Sequence, residues 1–226
     1  MSIFITGDTH GDVDVHKITR QCFDYSGLTK DDYLIIAGDF GFVWYGNRKD
    51  EWWLKWVNNL PCTVLFCDGN HENFDALDSY PIEEWQGGKV HRIKDTVFHL
   101  MRGQVFTIDN LKFFVFGGAS SHDKEYRKEG VNWWPQEIPN EEEKSEAIRT
   151  LDENNWEVDY VITHCAPSKV LGSIEISYDA KDSVTDFLDT IDDKLMFRHW
   201  YFGHYHVDKK TDDKHTVIYN KTEYIK

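Results

Sequence analysis

Apolar, β-branched and aromatic residues gather in short runs at Ile3-Phe4-Ile5, Tyr33-Leu34-Ile35-Ile36-Ala37, Thr63-Val64-Leu65-Phe66, Phe113-Phe114-Val115-Phe116, Tyr160-Val161-Ile162 and Trp200-Tyr201-Phe202. Such runs, uninterrupted by polar positions, predict strands buried on both faces. The segments Val13 to Cys22, Asp50 to Asn59 and Ser183 to Asp192 lie between them with helical character, and this alternation predicts an α/β architecture. Pro139-Asn140-Glu141-Glu142-Glu143 announces a further helix from about Glu141 to Asn154. There Asn140 can accept from an amide of the first turn while Glu143 reaches back in a capping box. Gly87-Gly88, Arg102-Gly103 and Gly117-Gly118 read as turns. Residues 120–140, rich in charge, Trp and Pro, read as a long loop over one edge of the fold, a kind of segment that often carries function.

At 226 residues the chain is expected to form one domain over 1–226, with a loop-and-helix insertion at about 120–155. Its 40% hydrophobic content is enough for a packed core and excludes a disordered chain. Lys and Arg total 25 against 40 Asp and Glu, so the net charge of −15 repels polyanions at long range and duplex DNA is a poor partner. A bound metal could reverse that sign locally, whereas runs such as Glu141 to Glu143 read as solvated helix faces. The start, Met1-Ser2-Ile3-Phe4-Ile5, has no basic leader, and no apolar stretch reaches membrane-spanning length, so the expected place is the cytoplasm without membrane contact. Cys22, Cys62, Cys67 and Cys165 lack CxxC spacing and are expected to be reduced, buried thiols.

Five of the apolar runs end in the same way. Ile3-Phe4-Ile5-Thr6-Gly7 leads into Asp8 and His10, Leu34-Ile35-Ile36-Ala37-Gly38 into Asp39, and Val64-Leu65-Phe66-Cys67-Asp68-Gly69 into Asn70 and His71. Tyr160-Val161-Ile162-Thr163 leads into His164, and Trp200-Tyr201-Phe202-Gly203 into His204 and His206. Strand ends on one edge of an α/β sheet form its binding crevice, so these residues are expected to converge. The set is carboxylate, amide and imidazole without thiolate, a shell suited to Mn, Fe or Zn.

The five blocks together, Gly7-Asp8-Thr9-His10-Gly11, Gly38-Asp39, Gly69-Asn70-His71-Glu72, Thr163-His164 and Gly203-His204-Tyr205-His206, resemble the signature of the calcineurin-like metallophosphoesterases in residue type and order. The resemblance implies two mixed β-sheets packed as a sandwich and flanked by helices. It also implies two divalent cations, Mn favoured. One would be held by Asp8, His10, Asp39 and His206, the other by Asp39, Asn70, His164 and His204, with Asp39 bridging. A pair of cations about 3.5 to 4 Å apart lowers the pKa of a shared water and clamps the oxygens of an in-line displacement. The implied activity is hydrolysis of a small phosphate ester (a phosphomonoester, nucleotide or small phosphodiester) by a metal-bound hydroxide. By the same resemblance His71 protonates the leaving oxygen as general acid.

Trp52-Trp53 is expected to pack, while Trp133 or Trp134 could offer a face to a nucleobase. Arg127 and His122, in the long loop, are the substrate-phosphate candidates, Arg127 because its planar fork matches two oxygens. His16, His91, His99, His199 and His215 match no block and are expected to be surface or hydrogen-bonded histidines. The Ser/Thr protein phosphatase branch carries Gly-Asp-x-x-Asp-Arg and an Arg before Gly-Asn-His-Glu. Here Phe42 and Asp68 stand at those places, so protein phosphatase activity is disfavoured and Asp75 or Glu72 is the expected orienting partner of His71. The alternatives carried forward are a nuclease on single-stranded nucleic acid, disfavoured by charge, and a non-catalytic metal-binding scaffold, disfavoured by the intact His71.

Overall fold

The computed structural model describes residues 1–174 and 181–226. In chain order its elements are β1 (Ile3–Thr6), β2 (Tyr33–Ile36), α1 (Arg48–Asn58), β3 (Thr63–Phe66), α2 (Phe74–Leu77), β4 (Ile82–Trp85), β5 (Gly88–Lys94), β6 (Val97–Leu100), β7 (Gln104–Ile108), β8 (Leu111–Phe116), α3 (Glu141–Glu153), β9 (Tyr160–Thr163), α4 (Ser183–Asp192), β10 (His199–Phe202), β11 (Lys209–Lys210), β12 (His215–Val217) and β13 (Thr222–Tyr224). One sheet runs β13-β1-β2-β3-β6-β5-β4 and the other β11-β12-β10-β9-β8-β7. Both are mixed: β1, β2, β3 and β6 are mutually parallel, as are β8, β9, β10 and β12, with antiparallel strands at the margins.

The uninterrupted apolar runs follow from burial on both faces, since successive side chains of a strand point opposite ways. Ile3, Ile5, Ile35 and Leu65 point between the sheets, where they meet Phe106, Phe113, Val115 and Ile162. Their neighbours Leu34, Ile36, Val64 and Phe66 point outward against Leu54 and Val57 of α1. Phe114, Phe116, Val161 and Phe202 likewise pack outward against Ala147 and Leu151 of α3 and Leu188 and Ile191 of α4. The result is a sandwich of two sheets with helices on its outer faces.

The capping box at Asn140 and Glu143 is present as read from the sequence. The segment Val13 to Cys22 is not a helix: it forms one 3-10 turn, Val15–Ile18, without a side-chain cap. The carboxylate of Asp14, placed where it would cap, is instead engaged by His10 Nδ1 at 2.7 Å. Three of the four cysteines are buried, but Cys22 is exposed, and all four are unpaired. No helix among the described residues is long and apolar enough to cross a membrane.

Candidate metal centre

The parallel strands β1, β2, β3, β9 and β10 deliver their following residues to a common edge. Asp39 stands at the middle: its Oδ2 lies 3.2 Å from His10 Nε2 and 3.4 Å from His164 Nε2, while its Oδ1 accepts from the His71 amide at 2.7 Å. Asp8 Oδ1 accepts from the His204 amide at 3.1 Å. Its Oδ2 lies 3.1 Å from His206 Nε2, buried and without a hydrogen bond. Asn70 Oδ1 faces His164 Nε2 at 3.1 Å.

Donor atoms of Asp8, His10 and His206 lie within 4.8 Å of one another, as do those of Asp8, Asp39 and His164, and those of His10, Asp39 and His71. The structure therefore gathers the predicted residues, with two differences from the implied assignment. His71 lies within donor distance of His10 and Asp39, and His204 belongs to none of these three groups, its ring standing 5.0 Å from that of His164.

Local backbone is spent on this convergence. His10, Asp39, His204 and His206 all have positive φ, between 44° and 68°, a left-handed conformation that costs a non-glycine residue roughly 1–2 kcal/mol. Two of the motif glycines have a plain steric reason: a Cβ on Gly69 would collide with the Asp39 carboxylate, and one on Gly203 with that of Asp8. His10 Nδ1 donates to Asp14 and His164 Nδ1 donates to the Ala37 carbonyl at 2.9 Å, which turns both Nε2 atoms toward Asp39. Asn70 Nδ2 donates to Ser121 Oγ at 3.1 Å, and Ser121 in turn donates from Oγ and its amide to Glu137 at 2.6 and 2.9 Å. That buried chain fixes the Asn70 amide with its oxygen inward.

The donor set fits divalent cations. Burial alone would lower the His164 imidazole, but the Asp39 carboxylate overrides it and pushes His164 up to about 10. Burial likewise opposes His10, which the Asp39 hydrogen bond pushes up to about 9. Asp39 itself is held well below the usual carboxylate range, against its burial, by His164 and His10. The buried carboxylates thus call for positive charge, Asp8 Oδ2 has no hydrogen bond, and the oxygen and imidazole donors suit Mn, Fe or Zn.

Beside this cluster Arg127 donates from Nη1 to His71 Nδ1 at 2.9 Å, its guanidinium held by Asp123 through Nε at 2.6 Å and Nη2 at 2.8 Å. The predicted orienting partners are otherwise engaged. Glu72 accepts from the Phe40 and Gly41 amides and Asp75 from Trp134 Nε1, so neither orients His71; the group that meets its ring is Arg127. Burial lowers the His71 imidazole, Asp39 opposing and Arg127 reinforcing the shift. His122 stands on the other flank, its ring 5.7 Å from that of His204. Trp134 is 3% exposed and packs edge-on against Trp44, which removes it as a nucleobase platform and leaves half-buried Trp133.

Asp68 has a structural role. It is fully buried and takes Arg102 Nε at 2.9 Å, Arg102 Nη2 at 2.6 Å and His99 Nε2 at 3.2 Å. Removing the cation strands a buried charge, so Arg102→Met should lower unfolding free energy by about 3–5 kcal/mol in urea denaturation. A loss below about 1 kcal/mol would show that the pair carries no such weight.

Sequence reasoning missed Asp14, Ser121, Asp123 and Glu137. Asp14 and Asp123 each stand four positions before or after a candidate residue, a signal available in principle. Ser121 and Glu137 meet Asn70 only through tertiary folding.

Among curated proteins none matches the sequence. Two solved structures resemble the fold at 15% identity over 96% of the chain. One, from Staphylococcus aureus, is assigned as a 5'-nucleotidase in complex with alpha-ketoglutarate (TM-score 0.49), and the chain spans 48% of its length. The other is a phosphopantetheinyl hydrolase from Mycobacterium tuberculosis (TM-score 0.48), of which 88% is covered. The family model for calcineurin-like phosphoesterases matches residues 1–208, nearly the whole span from the first strand to past the last motif histidine, and the chain belongs to that family.

Proposed function

We infer that residues 1–226 act as one catalytic unit, a dinuclear metal-dependent hydrolase of small phosphate esters with a nucleotide-like ester favoured. The observation that carries this reading is Asp39 Oδ2 set between His10 and His164, with Asp8 Oδ2 buried and unbonded beside them. Asp8, His10, Asp39 and His206 would hold one cation and Asp39, Asn70, His164 and His204 the other, Mn favoured. When bound, such a pair activates water at neutral pH and stabilises charge on the phosphoryl oxygens.

The chain's own residues do the rest. The nearer Arg127 contact is to His71 Nδ1, at 2.9 Å against 3.5 Å to Nε2, so the neutral imidazole carries its proton on Nε2, from which it can hydrogen-bond a leaving oxygen; outright proton transfer needs the imidazolium, with Nδ1 released from Arg127. Arg127 stands beside the cluster with its fork on Asp123, His71 and the Asn132 carbonyl, so it would meet a phosphate oxygen by exchanging one of these contacts. Asn70 as a neutral donor leaves more positive charge for a phosphate dianion than an Asp would. A polymer would have to lie along a surface whose net charge is −15, whereas a small ester meets only the cluster and the 120–134 loop, where Trp133 offers a face to a base.

The test compares kcat/KM with Mn for nucleotide monoesters, small diesters and single-stranded oligonucleotides. Small esters should be preferred, and Arg127→Ala should lower kcat/KM for them by about 10- to 100-fold, the worth of one charge-assisted contact. Faster cleavage within oligonucleotides would contradict the size preference; an unaffected Arg127→Ala would contradict the phosphate role.

A further inference from the structure

Tyr219 lies beyond the segment that the family model matches, yet its neighbourhood is confined to one side of the cluster. Its ring stacks on that of His206 at 4.7 Å and 21°. Asp14, the carboxylate that holds His10 Nδ1, faces its hydroxyl. Lys17, a lysine only 1% exposed, sits 3.8 Å from the ring centroid and donates to the carbonyls of Asp8 at 2.5 Å and Tyr219 at 2.8 Å. Thus Tyr219 touches, directly or through one group, Asp8, His10 and His206.

The surrounding chain is built to hold it there. The Asp208 carboxylate accepts from the amides of Tyr219 at 2.8 Å, Asn220 at 3.2 Å and Lys221 at 3.1 Å, closing a turn between β12 and β13. Thr6 Oγ1 donates to the Lys221 carbonyl at 2.9 Å. A Cβ on Gly7 would strike the Ile218 carbonyl and the Tyr219 backbone, so the glycine that opens the first motif is what admits this segment. The hydrogen bonds from Asn70 Nδ2 and His164 Nδ1 run elsewhere, to Ser121 and to the Ala37 carbonyl.

We propose that Tyr219 is a positioning residue that sets the affinity of the Asp8–His10–His206 side of the cluster and leaves the Asn70–His164 side unchanged. The proposal rests on the dinuclear reading above. His206 is half exposed at its side chain, 49%, and its ring is held between the stacked Tyr219 ring and the edge-on His10 ring, 5.0 Å away. Asp14 ties the same ring to His10, so one side chain constrains two of the donors.

The experiment is calorimetric titration of chelator-treated full-length protein with Mn alone, for wild type, Tyr219→Phe and Tyr219→Leu, with melting curves of the metal-free proteins. Wild type should bind two Mn. Tyr219→Leu should weaken one of them by about 10- to 100-fold, the usual cost of losing an outer contact to a metal-binding histidine, with the second unchanged. Tyr219→Phe keeps the stacked ring and should fall between the two. A metal-free melting temperature equal to that of wild type in Tyr219→Phe keeps the comparison sound if the leucine variant folds poorly. Equal weakening of both sites, or no change in either variant, would overturn the proposal while leaving the dinuclear reading intact. A wild type that binds no Mn would overturn the dinuclear reading itself.

Discussion

Asp39→Asn is expected to strip the protein of both cations together and to reduce phosphoesterase turnover by on the order of 10³-fold or more, because the activated water depends on the pair. The reason lies in one atom: Asp39 Oδ2 is within 3.4 Å of both His10 Nε2 and His164 Nε2, and those two histidines belong to different donor groups. An amide keeps the shape but removes the negative charge that each cation would share. The hydrogen bond from the His71 amide to Oδ1 can persist with the amide oxygen, so the fold should survive. Metal content per chain, measured for wild type and variant after gel filtration, decides the point. Loss of one cation with full retention of the other would show that Asp39 does not bridge.

His71→Ala is expected to retain both metals and lose about 10²- to 10⁴-fold in turnover, the range of a general acid. Its ring reaches the cluster edge, and with Nδ1 accepting from Arg127 the neutral ring presents Nε2–H to the leaving oxygen, full proton transfer requiring the imidazolium with Nδ1 released from Arg127. The loss should shrink for p-nitrophenyl esters, whose leaving group needs little protonation. Equal impairment on activated and unactivated esters would assign His71 to phosphate positioning. Metal loss in this variant would instead make it a donor to the first cation, as its distance to His10 and Asp39 permits.

The parts of the site that the sequence revealed are those whose chemistry is local. An apolar run, a glycine and a polar donor follow one another along the chain, so Asp8, Asp39, Asn70, His164 and His204 could be read as strand-end residues before any fold was known. β1, β2, β3, β8, β9 and β10 were legible for the same reason, being apolar on both faces, whereas buried β6, broken by His99, and β7, broken by Thr107, were not. β4 and β5 were not, because Glu83, Glu84, Lys89, Arg92 and Lys94 interrupt the runs on an edge that is partly exposed. β11 to β13 were missed because strands of two or three residues leave no periodicity. The helix expected over Val13 to Cys22 failed because Asp14 and Lys17 serve the cluster and the chain's far end, contacts that local propensity cannot register. Arg127 was found by residue type, but its grip on His71 and its support from Asp123 are tertiary facts.

The most direct measurement is an anomalous difference map from crystals of the full chain grown or soaked with Mn. The account predicts two peaks about 3.5 to 4 Å apart astride the Asp39 carboxylate, one bounded by Asp8, His10 and His206 and the other by Asn70, His164 and His204. A map with no peak at this edge, or with a single peak away from Asp39, would contradict it.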